Sequence, residues 1–165
     1  MHRPSQLMGD GWAVRRLSGD DWQRHRAVRL AMLLDQPDAY GSTFAREEAF
    51  DEATRRQRLE HPVLLAESDA GLPLGAATLY RPDESHDPEI VAMWVAGHAR
   101  GRGIADALVQ ACVDLAGARR DAVVRLHVMR DNSRAVAFYE RAGFAFDGSA
   151  GDVDGCDRMS RHLPG

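Results

Sequence analysis

From Trp12 onward the chain alternates short runs of strand-like patterning with longer stretches of helical periodicity. Trp12 to Leu17 reads as a first strand. Ser18 or Asp20 can cap a helix carrying Trp22, Val28, Met32 and the Leu33-Leu34 pair, and Pro37 stops it. A second, strongly charged helical stretch runs from about Ala45 to Leu59 and ends before Pro62. Val63 to Glu67 and Leu74 to Leu79 flank the turn-forming group Asp69-Ala70-Gly71, which predicts a hairpin. Ile90 to Val95 is apolar at every position, the pattern of a central strand buried on both faces.

A helical face follows in Ile104, Leu108, Ala111, Cys112 and Leu115. Val124, Leu126 and Val128 then alternate with Arg125 and His127, predicting a strand with one apolar and one polar face. Asn132-Ser133 can cap a last helix with Ala135, Phe138, Tyr139 and Ala142 inward and Gly143 as its stop. Strands near Phe144 to Asp147 and Cys156 to Leu163 complete a mixed sheet.

Length bounds this to one domain, since 165 residues is the size of a single compact unit. Residues 1–11 read as a flexible leader and residues 12–165 as the domain. No apolar run reaches the roughly 20 residues of a membrane span, and Met1 to Gly11 lacks the apolar core of a signal peptide, so a cytoplasmic location is the default expectation. Cys112 and Cys156 lie far apart without a C-x-x-C, which suggests neither a disulfide framework nor a zinc site; Cys112 reads as a small core residue. All 21 basic residues are arginine. A Walker A loop and a pyridoxal Schiff base both need a lysine, so both are excluded. The net charge of −4 argues against a nucleic-acid partner.

Between the central strand and the Ile104 helix stands Arg100-Gly101-Arg102-Gly103-Ile104-Ala105. Glycines let backbone approach a ligand, the first N–H groups of a helix point out of its end, and guanidinium groups add charged donors, so this is an anion site. A dinucleotide fingerprint would need glycine where Asp106 stands.

Arg100, Gly103 and Ala105 resemble motif A of the GNAT superfamily of N-acetyltransferases. Downstream, Asn132, Ala135, Phe138-Tyr139 and Gly143-Phe144 resemble that family's second cofactor motif, in the same order and at its spacing. The resemblance implies a single-domain α/β (α+β) fold: a mixed, mostly antiparallel sheet of six to seven strands flanked by about four helices, with splayed central strands forming an acetyl-CoA groove. It implies that Arg100 to Ala105 hold the cofactor's pyrophosphate, that Asn132, Ala135, Phe138 and Tyr139 line the pantetheine arm, and that no metal is needed. A bulge near Trp94 or Val95 is implied to expose a backbone N–H to the reacting carbonyl oxygen.

The same resemblance gives Tyr139 the role of proton donor to the departing thiolate. Glu89, eleven residues before Arg100, stands where some members place a general base. His98 and His127 are lesser candidates. The acceptor pocket is expected from Tyr40, Ser42 and Thr43 in the loop after the first helix, and from a segment holding Asp147, Asp152, Asp154 and Asp157, whose negative field would favour a cationic amine. The implied activity is acetyl transfer to a primary amine of a small molecule; acylation of a protein or peptide amine, or a non-catalytic acyl-CoA-binding sensor, are the alternatives. Homodimers are frequent among such proteins, and Cys156 to Leu163 is a candidate strand for pairing across an interface.

Overall fold

The computed structural model describes residues 8–9, 11–150 and 155–165. Its strands are β1 (Met8–Gly9), β2 (Trp12–Arg16), β3 (Val63–Ser68), β4 (Pro73–Tyr80), β5 (Glu89–Val95), β6 (Val123–Met129), β7 (Ala145–Ala150) and β8 (Cys156–His162). Its helices are α1 (Trp22–Asp35), α2 (Phe44–Glu48), α3 (Glu52–Arg58), α4 (Ile104–Ala118) and α5 (Ser133–Arg141). The strands form one sheet in the order β1-β2-β3-β4-β5-β6-β8-β7. Every neighbouring pair is antiparallel except β5 and β6, which run parallel and are joined by the α4 crossover. Two residues of the expected leader, Met8 and Gly9, pair with Ala13 and Trp12; residues 1–7 and 10 lie outside the described residues. Among the described residues, no helix is long and apolar enough to cross a membrane.

The mixed sheet and the position of β5 within it follow the expectation, and three details depart from it. First, the charged stretch is two helices, because Asp51 interrupts it. The Asp51 carboxylate accepts from the Thr54 N–H at 2.8 Å and starts α3, while Thr43 caps α2 by accepting from the Arg46 N–H at 3.2 Å. Second, Val28, Met32 and Leu33 are buried on α1, but Leu34 is 69% exposed: one helical stripe cannot take both residues of the leucine pair together with the others. Third, Cys156–His162 is not an edge. It is bonded to β6 on one side and β7 on the other, so its backbone is already committed and cannot pair across an interface.

Two opposing layers cover the sheet. Gly75 on β4 faces α4, where a Cβ would lie 3.0 Å from Ile104 Cγ2 and 3.2 Å from Leu108 Cδ1. Thr78 and Tyr80, of opposite parity on the same strand, face a cavity beneath α1 and α3. The α4 side is dry: Ile104, Leu108, Cys112 and Ala116 are each at most 1% exposed. The missing side chain at Gly75 therefore sets how closely the first turn of α4 approaches β4 and β5.

The added Cβ would also stand 2.8 Å from the Trp94 carbonyl oxygen, which is backbone and cannot swing away. Gly75→Ala is expected to destabilise the fold by about 1–3 kcal/mol through overpacking. Chemical denaturation checks this, and an unchanged midpoint would show that α4 is free to shift.

Candidate functional site

The site grows out of an irregularity in β5. Ala76 pairs with Trp94 and Thr78 with Val91, so two residues, Ala92 and Met93, stand opposite one. Ala92 takes φ of 53°, the left-handed region a non-glycine residue enters only as a strained single residue. The extra residue brings Val91 and Trp94 to the same face, although their spacing would otherwise place them on opposite ones. The Trp94 indole is buried against α1, donating from Nε1 to the Asp35 carboxylate at 2.9 Å, and the Tyr40 hydroxyl donates to the Met93 carbonyl at 3.1 Å. The bulge thus lies at Ala92–Met93, one to two residues before the expected Trp94 or Val95.

On its other edge β5 lets go of its neighbour. It pairs with β6 only at Glu89 with Arg125 and Ile90 with Leu126, after which the strands diverge. The Ala96 N–H bonds to the Leu74 carbonyl at 2.9 Å, and the antiparallel alternation then turns the Trp94 amide toward β4 and the Val95 amide toward the open edge. The apolar run was expected to be buried on both faces. Only Ile90 and Trp94 of the apolar run are buried; Val91, Ala92, Met93 and Val95 are half-exposed, and Val91 and Ala92 line the cavities beside the strand.

At the end of β5 the chain passes through the turn Gly97–Ala99 into the loop before α4. Gly101 and Gly103 have φ of 77° and 81°, and Gly103 is the N-cap of α4. No atom lies within 4 Å of where a Cβ on either would stand, so backbone conformation and not crowding calls for glycine there. Arg100 and Arg102 are exposed beside this helix end, whose N–H groups face outward. Ile104 turns its side chain into the core and offers only its backbone, while Ala105 is half-buried on the first turn. A cavity of about 770 Å³ opens between Arg102, Gly103, Gln110, Arg141 and Arg161.

α5 supplies the far wall. Asn132 caps it, its Oδ1 accepting from the Ala135 N–H at 3.1 Å, and Phe138 and Tyr139 stack edge to face at 5.0 Å between ring centres. Burial pushes the Tyr139 phenol up to about 12, with the neighbouring Cys112 thiol adding to the shift. Tyr40 is likewise raised to about 12 by burial, and the charges and dipoles of Arg29, Asp35, Tyr139 and Arg100 all reach it. Both phenols therefore stay protonated through the neutral range.

Glu89 and His127 meet across the one parallel contact, His127 Nδ1 hydrogen-bonding the Glu89 carboxylate. They share the sheet face of Val91, about 7 Å along the strand from Glu89 at two residues' rise. His98 stands apart, exposed on the Gly97–Ala99 turn.

Of the expected acceptor residues, Tyr40 and Ser42 line a cavity of about 620 Å³ bounded by Val91 and Ala92 of β5. Thr43 does not line it; its hydroxyl is spent on capping α2. The expected acidic field is also not assembled. Asp147 is held by Arg125 at 2.9 Å and Arg158 at 2.7 Å, and Asp157 by Arg130 at 2.9 Å, so their charge is matched by arginine; Asp152 and Asp154 lie outside the described residues.

What sequence reasoning missed is the buried group behind this cavity. Glu47, 0% exposed, accepts from Arg29 at 2.8 and 2.6 Å and from Arg58 at 2.7 Å. Burial alone would raise its carboxyl, but the hydrogen bonds from Arg29 and Arg58 outweigh it and hold the group at about 2. His25 beside them is pushed down to about 4, first by burial and then by the charges of Arg58 and Arg29.

Residues 26–144 match the sequence model of the acetyltransferase (GNAT) family. The whole fold is similar to a ribosomal-protein-alanine N-acetyltransferase from Brucella melitensis, at 26% identity and a TM-score of 0.68 over 91% of this chain and 99% of that one. It is also similar to a GCN5-related N-acetyltransferase from Kribbella flavida (23% identity, TM-score 0.69, 93% and 99% covered). A third likeness is to the paiA N-acetyltransferase from Thermoplasma acidophilum in complex with coenzyme A (16% identity, TM-score 0.68, 92% and 99% covered). No curated protein matches the chain in sequence.

Because His25 is neutral in the fold but protonates near 6.5 once unfolded, the unfolded chain binds the extra proton and stability falls as pH drops from about 6.5 to 4. The loss is expected to be on the order of 3 kcal/mol. Melting curves across this window check it, and His25→Gln should flatten the slope; a variant as acid-sensitive as the parent would place the proton elsewhere.

Proposed function

Since the chain belongs to the acetyltransferase (GNAT) family, we propose that it transfers an acetyl group from acetyl-CoA to the primary amine of a small molecule. The observation that carries this reading is that one stretch of β5 with an unpaired outer edge has the Tyr40 cavity at Val91 and Ala92 and leads, beyond Val95, into the left-handed glycine turn at the α4 end. The T. acidophilum relative's complex with coenzyme A supports the donor. A cavity of about 620 Å³ is the size of a small-ligand site, which supports the acceptor class.

The residues present fit a pyrophosphate: Arg100 and Arg102 with the N–H groups opened by Gly101 and Gly103 give charged and neutral donors at a helix N-terminus. When bound, acetyl-CoA supplies the activated acyl group. Asn132 Nδ2 and the Phe138–Tyr139 wall border its pantetheine arm, with Ala135 packed beneath. The backbone N–H groups on the open edge of β5, Val95's among them, donate to the carbonyl oxygen as it gains charge, a contribution of about 3 kcal/mol per donor.

Glu89 takes the proton that the amine must lose, through water, with His127 hydrogen-bonded behind it. Tyr139 donates to the sulfur as the C–S bond breaks and the C–N bond forms. The sum is amide plus free thiol. With a phenol near 12, Tyr139 is always in the donating form, and its return to that form draws on the proton released by the amine.

Acylation of a polypeptide amine is the second reading, favoured by the likeness to the B. melitensis enzyme. An amine panel and a peptide panel with acetyl-CoA, read by release of free thiol, separate the two. Turnover of small amines is expected; coenzyme A binding with no thiol released from any acceptor would sink the proposal. Tyr139→Phe should lower kcat by roughly 10²–10⁴-fold while leaving coenzyme A affinity within a few-fold. An unchanged kcat would remove Tyr139 from the chemistry.

A further inference from the structure

The cavity beside the β5 bulge carries more positive charge than its own wall can use. Arg29, Arg46 and Arg58 line it, and Arg55 stands behind them, buried on the backbone carbonyls of Glu47 and Phe50. Four guanidinium groups thus surround one carboxylate, Glu47. That carboxylate accepts three hydrogen bonds from Arg29 and Arg58. Arg46 forms no ion pair among the described residues; its guanidinium lies 5.6 Å from the centre of the Phe50 ring, itself part of the cavity wall. Of the carboxylates on neighbouring segments, Asp35 accepts from the Trp94 indole and Asp51 caps α3 by accepting from the Thr54 N–H.

Resting on the acetyl-transfer reading above, we propose that this cavity binds the acidic group of the acceptor, so that the substrate is an amine that also carries an oxyanion, of the amino-acid class. Arg46 is the principal ligand, with the outward donors of Arg58 beside it and Tyr40 and Ser42 also lining the cavity. A polycationic amine would be repelled here. An amino acid enters with its carboxylate toward Arg46 and its nitrogen toward Ala92, at the strand edge where the acetyl group is received. The same positive field favours the neutral form of a bound amine, as the charges of Arg58 and Arg29 do, after burial, for His25 in the adjoining cavity, and so assists removal of the proton that blocks attack.

The test offers the whole chain and acetyl-CoA a panel of α-amino acids, the corresponding aminophosphonates, and the α-carboxamides of the same amino acids, which keep the amine and lose the charge. Free thiol is followed in one arm. In the other, binding of the same compounds to the coenzyme A-saturated protein is followed by calorimetry. Preference for the acids over the carboxamides is expected in both arms, and the phosphonates distinguish which oxyanion fits.

Arg46→Gln, at an exposed position outside the core, should raise KM for the acids by about 10- to 100-fold, leave kcat and the carboxamide KM nearly unchanged, and be partly rescued in Arg46→Lys. Thiol release that is equal with and without the acidic group would overturn the pocket assignment and leave the transferase standing. Selective binding of the acids with no thiol release would do the reverse. Neither selective binding nor selective turnover would overturn the assignment outright.

Discussion

One strand has to stay bonded to one neighbour and abandon the other. β5 keeps β4 along its length and holds β6 only through its first two residues. The inserted residue at Ala92 makes the departure possible, and its left-handed backbone costs on the order of 1–2 kcal/mol. The surroundings hold that strain in place. Tyr40 ties the Met93 carbonyl from one side, the Trp94 indole anchors to the end of α1, and Gly75 seats the strand against α4 from beneath. Released from these, β5 is free to relax into an ordinary ladder with β6, closing the edge that the proposed transfer uses.

The two faces of the sheet divide the work around that strand. On the α4 face Ile104, Leu108, Cys112 and Ala116 are buried against the sheet, which fixes the direction in which the helix N-terminus and the glycine turn point. The α1–α3 face is polar at its centre, built on Glu47 and the arginines that enclose it, and encloses space. In the proposed reading the donor turn and the acceptor cavity thus belong to opposite layers, with β5 between them.

Much of this could be read from residue order. Strands and helices with a single clear period, such as Val124 to Val128 or the Ile104 face, are local facts, as is the positive φ that Gly101 and Gly103 permit. The misreadings share a cause. Ile90 to Val95 looked buried because apolar residues line a cleft as readily as a core. Thr43 looked like a substrate ligand, and Asp147 and Asp157 like a free negative field, because a sequence does not show what a side chain has already spent itself on: a helix cap in the first case, arginines from other strands in the others. The Glu47 cluster was invisible for the complementary reason. Arg29 stands eighteen residues away and Arg58 eleven, on different helices, and within the charged stretch nothing distinguishes a buried carboxylate from its solvated neighbours.

The arginines of the hollow face have one more property that follows from their chemistry. Under the proposed transfer, a lysine in the same cavity would be a primary amine held beside a thioester, an acceptor competing with every substrate that enters. A guanidinium keeps its charge at any working pH and is not a nucleophile there. The chain, which contains no lysine at all, can therefore crowd its pocket with cations and offer no side-chain amine of its own to be acetylated.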